Sequence, residues 1–374
     1  MPERLKRVTM KAIAERAGVS QATVSLALQG NPRISEATRK QVVRLARRMG
    51  YHPDPGITHM NLYRWGRPAA TPGSTVAYLT AYGHVRAEHD GFPSVQQACW
   101  LGATDEGTRL GYRLYHLDLN QYERPEAVNR LLRSRGVRGL IVGPVRERRW
   151  ADGLDWDRFP AVAIEEGAIE LPIHVINADD FAGARLLCRK LLGRGYRRIG
   201  LSIQWDDLIY GYPAERIAGL MHEIQRGDPA FTQVPLLESH FGDVEAVERW
   251  IKKHQPDCVV GTNDGFFWNL QMNGHNCPQD FGCAVLIHRP LPRGLIDVSG
   301  IDRHARELGV AAMQFLDSRI RLNLTRPKPS EIQKILVPPD WVEGQTLVPL
   351  QARRRRRTTP TRKHTRKRSD TKSN

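Results

Sequence analysis

The sequence has no apolar run long enough to cross a membrane, and its opening residues, MPERLKRVTM, lack the apolar core of a secretion signal. A membrane or secreted protein is not expected, and the cytoplasm, in association with the nucleoid, is the expected place of action. Cysteine is sparse: Cys99, Cys188, Cys258, Cys277 and Cys283 are scattered, odd in number and never spaced as CxxC. That argues against a disulfide framework and against a zinc site, and predicts mostly buried, reduced thiols. Also missing are G-x-S-x-G, the phosphate-binding P-loop and HExxH, while histidines and carboxylates are scattered instead of paired. No catalytic residue, metal ligand or cofactor is assigned, and the chain is not expected to be an enzyme.

What the sequence has in excess is positive charge, unevenly placed. Of the formal +16 across 374 residues, residues 1–54 carry eleven Lys/Arg against four Asp/Glu, and residues 351–374 carry eleven against one. The long middle is therefore close to neutral, and the basic balance belongs to the two ends. Nucleic acid is the natural partner of such ends.

The first basic region has helical periodicity. In VTMKAIAERAGVSQATVSLAL, residues 8–28, Ile13, Ala14 and Ala17 fall on one face of a short helix, and Val24, Ala27 and Leu28 on one face of a second. Neither stripe can be buried alone. Gly18 supplies a turn residue able to take positive φ, and Ser20 is placed to cap the helix that begins at Gln21. Downstream, Ser35 can cap a third helix whose Val42, Leu45, Ala46 and Met49 share a face, with Gly50 at its end. The pattern is a helix-turn-helix headpiece of three helices over residues 1–50.

Residues 51–73, which contain HPDPGITHMNLYRWGRPAATPG, are rich in Pro and Gly and read as a linker with at most one helical turn between Ile57 and Arg64. From Thr75 short β-rich runs alternate with helical stretches. TVAYLTA, YRLYHLDL, GLIVGP, AVAIEE, RRIGLSI, DCVVGTND and CAVLIH are the strands, with amphipathic segments around 94–110, 180–194, 214–226 and 244–254. Such alternation builds parallel sheets from βαβ units, and residues 74–350 are long for one sheet, so two lobes around a cleft are expected. Ligands in such folds sit beyond the carboxyl ends of the strands.

Residues 8–54 closely resemble the headpiece of LacI-type transcriptional regulators. NADDFAG (177–183), YRRIGLS (196–202), ERIAGL (215–220), GTND (261–264) and RELGVAAMQFL (306–316) extend the likeness, more loosely, to that family's periplasmic-binding-protein-like effector domain. The resemblance implies an all-α headpiece followed by a two-lobed α/β effector domain. It also implies a homodimer on a two-fold symmetric operator of double-stranded DNA, whose affinity changes when a sugar-like small molecule enters the cleft.

On the second helix Gln21, Ala22, Ser25, Leu26 and Gln29 lie opposite the packed face, and the first of them sit at the end that enters a major groove. Gln21 can pair bidentately with adenine and Ala22 can touch a thymine methyl. Leu26 stands where LacI-type regulators commonly carry Arg, which removes a guanine contact. Thr23, Ser25, Arg39, Lys40, Arg47 and Arg48 suit phosphates, with ordinary exposure as the alternative. Thr9 and Ser20 complete the candidate DNA-binding set. Met60 matches the family's minor-groove leucine in the hinge, although Gly56 weakens a helix there by roughly 1 kcal/mol relative to Ala.

In the effector domain, the resemblance assigns Arg216 to ligand hydroxyl or carboxylate oxygens, and Asp179 and Asn263 to further polar positions of the same site. Short polar residues after strands also act as caps, which is the reading given to Asp264. His288 replaces an acidic residue found in many sugar-binding members. Phe267 and Trp268 replace smaller side chains, either stacking on a ligand or filling the cleft, and Phe92 can form the opposite wall.

The closing RRRRRTTPTRKHTRKRSDTKSN, within residues 351–374, has no apolar side chains to bury. It reads as a disordered arm for phosphates or a solubilising end, and lacks the leucine heptads of a tetramerising coiled coil. The rival from another class is a solute-binding protein without DNA-coupled regulation.

Overall fold

The computed structural model describes residues 9–28, 34–49, 51, 74–81, 94–145, 147–165, 167, 169–204, 214–226, 232, 234–239, 243–289 and 295–350. The chain divides into two units, Met1–Ala69 and Ala70–Asn374, and the division falls within the Pro- and Gly-rich stretch. The hinge segment, the basic arm and the candidates Gln29, Met60 and Phe92 lie outside the described residues.

The first unit holds α1 (Met10–Ala17), α2 (Gln21–Leu28) and α3 (Glu36–Arg48). Ile13, Ala14, Val24, Ala27, Val42 and Ala46 form its core, rimmed by Met10, Ala17, Val19, Leu28, Ile34, Leu45, Met49 and Tyr51. All three predicted stripes meet there. Gly18 adopts φ +67°, the left-handed conformation that closes α1, and its N–H bonds to the Ala14 carbonyl.

The second unit contains two six-stranded sheets. The N-terminal lobe uses β1 (Ser74–Thr80), β2 (Tyr112–Asp118), β3 (Gly139–Val142), β4 (Ala161–Ile164), β5 (His174–Ala178) and β11 (Lys334–Val337). Their order is β11-β5-β4-β3-β1-β2, and every pairing is parallel. β3 and β4 are buried at every position, as strands covered on both faces must be. Along β1, Ala77 and Leu79 enter one layer with Trp150 and Leu140, while Val76 and Tyr78 enter the other with Ala103, Leu308 and Leu316.

The helices of this lobe are α4 (Val95–Arg109), α5 (Pro125–Ser134), α6 (Arg148–Gly153) and, from far along the chain, α11 (Ala305–Leu322). α4 and α11 pack with their backbones in close approach: a Cβ on Gly102 would collide with the Arg306 carbonyl, and one on Gly309 with the Cys99 carbonyl.

The C-terminal lobe uses β6 (Ile199–Gln204), β7 (Leu237–Ser239), β8 (Cys258–Asn263), β9 (Gly282–Ile287), β10 (Gly300–Asp302) and β12 (Asp340–Val342). They lie in the order β12-β10-β9-β8-β6-β7, with only the β10/β12 edge pair antiparallel. α7 (Asp180–Gly193), α8 (Ala214–Arg226), α9 (Val244–His254) and α10 (Asp264–Met272) belong to this lobe. All five cysteines are free and buried.

The chain passes between the lobes three times: after β5 at Asp179, after β10 at Arg303 and His304, and between β11 and β12 at Pro338 and Pro339. α7 and α11 each pack on the lobe they enter, not on the one that precedes them. The loops after β1, β6 and β9 therefore belong to the carboxyl ends that border the lobe crossings; residues 82–93, 205–213 and 290–294 of these lie outside the described residues.

Candidate DNA-reading helix and interlobe site

The headpiece is organised by side-chain caps. Thr9 Oγ1 accepts the Ala12 N–H at 3.3 Å, Ser20 Oγ accepts the Thr23 N–H at 3.0 Å, and Ser35 Oγ accepts the Thr38 N–H at 3.3 Å. Ser20 and Thr23 also share a hydroxyl hydrogen bond of 2.9 Å. Thr9, Ser20 and Thr23 therefore spend polar atoms on holding helices in place. Gln21 and Ala22 do not: both are exposed at the amino end of α2, while Val24 and Ala27 on its other side are buried. Ser25, Leu26 and Leu28 are half-buried along the same helix. Lys40 forms a solvent-exposed pair with Glu36 at 2.8 Å, of a kind that contributes little to stability and leaves the ammonium available.

At the lobe crossings polar groups are densely engaged. Asp179 caps α7, its Oδ1 accepting the Ala182 N–H at 2.9 Å, and Asn263 caps α10, its Oδ1 accepting the Gly265 N–H at 2.9 Å. Asp264 is not the cap expected from the sequence. It is 3% exposed and receives a bidentate pair from Arg289, Nε to Oδ1 at 2.7 Å and Nη2 to Oδ2 at 2.8 Å. The cap fell to Asn263 because the helix begins at Asp264 itself, one residue earlier in the motif than a cap there would allow, and Asp264 turns inward to anchor the segment after β9.

Phe267 is fully buried in the cluster of Val259, Phe266, Leu270 and Val285, with Trp268 edge-on to it at 5.1 Å. Its ring fills the lobe. His288 is likewise enclosed; its Nε2 lies 2.9 Å from Asp297 Oδ1, and its backbone N–H bonds to the Ile301 carbonyl.

Arg216 stands in the first turn of α8, and its Nη2 donates to Asp180 Oδ2 at 2.9 Å. Its buried Nε has no partner among the described residues. Asp180 is shared. Arg303 donates Nε to Asp180 Oδ1 at 2.8 Å and Nη2 to Oδ2 at 3.1 Å, and its Nη1 reaches Glu165 Oε1 at 2.6 Å. Glu165 follows β4 of the N-terminal lobe and takes φ +61°, whereas Asp180 and Arg216 belong to helices of the other lobe. Arg303, 5% exposed, thus ties the two lobes at a crossing point. Burial alone would push the Asp180 carboxyl up, but the guanidinium groups of Arg303 and Arg216 outweigh it and hold the group below its ordinary carboxylate range. Two arginines and two carboxylates leave the cluster formally neutral.

Sequence reasoning found Arg216 but not Glu165, Asp180 or Arg303. Asp180 is visible beside Asp179 in NADD; nothing local marks Arg303, whose partners lie 123 and 138 positions away.

Comparison with known proteins agrees with both halves of this geometry. Residues 9–54 match the family described as "Bacterial regulatory proteins, lacI family". Catabolite control protein A of Priestia megaterium is 45% identical over 288 residues, covering 73% of this chain and 80% of that protein. The ribose operon repressor of Haemophilus influenzae is 24% identical over 324 residues, covering 84% of this chain and 92% of the repressor. The fold is that of the lac repressor dimer bound to operator and the anti-inducer ONPF, at a TM-score of 0.56 and 18% identity, over 92% of this chain and all of that one. A capped helix-turn-helix unit joined to a thrice-crossed pair of α/β lobes, with relatives matched along most of its length, belongs to the lacI family of bacterial regulatory proteins.

Proposed function

We propose that the chain acts in the cytoplasm as a homodimeric repressor, that its paired headpieces read a two-fold symmetric operator, and that an uncharged sugar-like effector in the interlobe cleft alters operator affinity. The observation that carries the DNA half is the division of labour on α2: one side is consumed by a three-helix core, and the amino end offers Gln21 and Ala22 to base edges. The relatives named as operon repressors, and the lac repressor dimer solved on operator DNA, support this reading. Thr9, Ser20, Thr23, Ser25 and Leu26 then position the helix or meet the backbone, with Gln29 and Met60 as further candidates.

The effector half rests on Arg216. Its charge is already compensated by Asp180, while its unpartnered Nε–H asks for an acceptor oxygen. A polyol supplies such oxygens without adding charge to a balanced cluster. Asp179, Asn263 and His288 are its polar neighbours in this proposal, with Phe92 as a wall and Phe267 behind the lining.

The decisive experiment is selection of bound duplexes from a random pool by the full-length protein, followed by titration of the selected duplex with a sugar library. A palindromic consensus whose affinity responds to a sugar, and stops responding in Arg216→Ala while duplex binding persists, is the expected result. Sugar binding with no duplex preference would replace the repressor with a solute-binding protein.

A further inference from the structure

A cavity lies at the end of the N-terminal lobe remote from the carboxyl ends of its strands. His174 opens β5, Gln333 directly precedes the parallel strand β11, and residues 319–327 are the last turn of α11 and the segment leaving it. These elements border an open pocket of about 480 Å³, lined by His174, Arg319, Thr325, Arg326, Glu331 and Gln333 among others. That is room for a ligand of sugar-phosphate size.

The lining is rich in donors without acceptors. His174 is 3% exposed, and its Nδ1 accepts the Gln333 N–H at 3.2 Å, which fixes the neutral ring as the tautomer carrying its proton on Nε2. That Nε2 is buried and has no partner among the described residues; neither has the buried Nε of Arg319. Arg319 Nη2 donates to the Thr325 carbonyl at 2.7 Å, which holds the guanidinium plane at the cavity. Arg326 adds a second cation, only 3.9 Å-paired with Asp157. Glu331, the acidic member, accepts the Lys328 N–H at 3.2 Å and sits 3.7 Å from Lys328 Nζ, and its charge also acts on His174 and Arg319, so the lining sets two arginines against one carboxylate. Burial and the nearby Arg319 cation both disfavour a charged His174, and burial likewise works against the Arg319 charge. Two donor groups kept in place against desolvation, with a net positive lining, suit an acceptor that carries negative charge.

We infer that this cavity binds a small oxyanion, a phosphate ester or a carboxylate, through the side chains of His174, Arg319 and Arg326, as a ligand site separate from the interlobe cleft. It needs no contribution from the cleft and stands whether or not a sugar binds there.

Full-length protein with ring-¹³C-labelled histidine tests it, using inorganic phosphate, acetate and glucose as probes. The His174 signal, assigned by its loss in His174→Gln, should shift saturably with phosphate or acetate and not with glucose; which anion binds more tightly distinguishes phosphate ester from carboxylate. Arg319→Gln should weaken that response about tenfold, as loss of a charged hydrogen bond implies. If Arg319→Gln lacks a native melting transition, Arg326→Gln takes its place, with an expected weakening of about threefold at this more exposed position. Phosphate that shifts other histidines but leaves His174 unmoved would mean an adventitious ion on the basic ends only and would overturn the assignment. So would an equal response to glucose, or one unchanged by both arginine variants.

Discussion

On α2 the side chains proposed to read DNA hold almost nothing else together, whereas at the lobe crossings Arg216, proposed to hold a ligand, shares the carboxylate through which Arg303 joins the lobes. Gln21 and Ala22 project from a helix secured by Ser20, Val24 and Ala27. Arg216 touches the same carboxylate that Arg303 uses to connect α7 with the loop after β4. With the proposed site residues, recognition and stability are separable in the first region and coupled in the second. For a ligand-responsive regulator that coupling is useful, because a ligand that drew Arg216 away from Asp180 would alter the carboxylate that Arg303 also holds, and a binding event can change lobe geometry only through such a differential contact.

The strongest way to break the contrast is Arg303→Leu. It leaves Asp180 and Glu165 buried with one guanidinium fewer, and loss of one partner from a buried charged cluster costs roughly 3–5 kcal/mol. The expected outcome is a matching fall in the urea stability of the lobed unit, followed by circular dichroism. A loss below about 1 kcal/mol would mean that the cluster is solvated and that the lobes are joined mainly by the packing of α7 and α11.

Acid should act on the same region with a smaller effect. Asp180 is held below the ordinary carboxylate range, and Glu223, which accepts from Arg189 and Arg185 at 2.7 Å each, is brought down to about 2, chiefly by the Arg189 hydrogen bond. A carboxyl depressed in the folded state contributes stability above its unfolded pKa and loses it as pH falls through the folded value. Melting temperature of the lobed unit should therefore drop between about pH 4.5 and pH 2. Glu223→Gln and Asp180→Asn should each start lower and fall less over that window. Equal slopes in variants and parent would show that other carboxylates control the acid transition.

The same contrast explains what could be read in the sequence. Headpiece helices bury stripes against one another within about forty residues, so periodicity, Gly18 and the caps Ser20 and Ser35 were sufficient to outline them. The strands that fill sheet centres, such as GLIV and AVAI, are continuous apolar runs and equally visible. β5 carries His174 and Asn177 among its apolar residues, and the strands β7, β10, β11 and β12 are only three or four residues long, so neither pattern stood out. Phe267 looked like a cleft residue because its position in the motif is known while the direction of its side chain is not. Asp264 was misread for the same reason. Arg303 had no local signature, since what makes it structural is burial between carboxylates brought together by chain crossings.

The smallest change in stability should accompany the sharpest change in recognition. Gln21→Ala removes an exposed amide from a helix whose buried face and cap it does not touch, and Ala is the better helix former, so unfolding free energy should move by no more than about 0.5 kcal/mol. If Gln21 pairs with a base edge in each half-site, discrimination at that base pair should decline by about 1–3 kcal/mol, while preference elsewhere in the operator is retained. Competition among single-base operator variants reads this directly, alongside a melting curve of the same preparation. Uniform weakening across all duplexes would assign Gln21 to the phosphate backbone. A drop in stability parallel to the loss of discrimination would show that α2 reads its operator with residues the fold depends on.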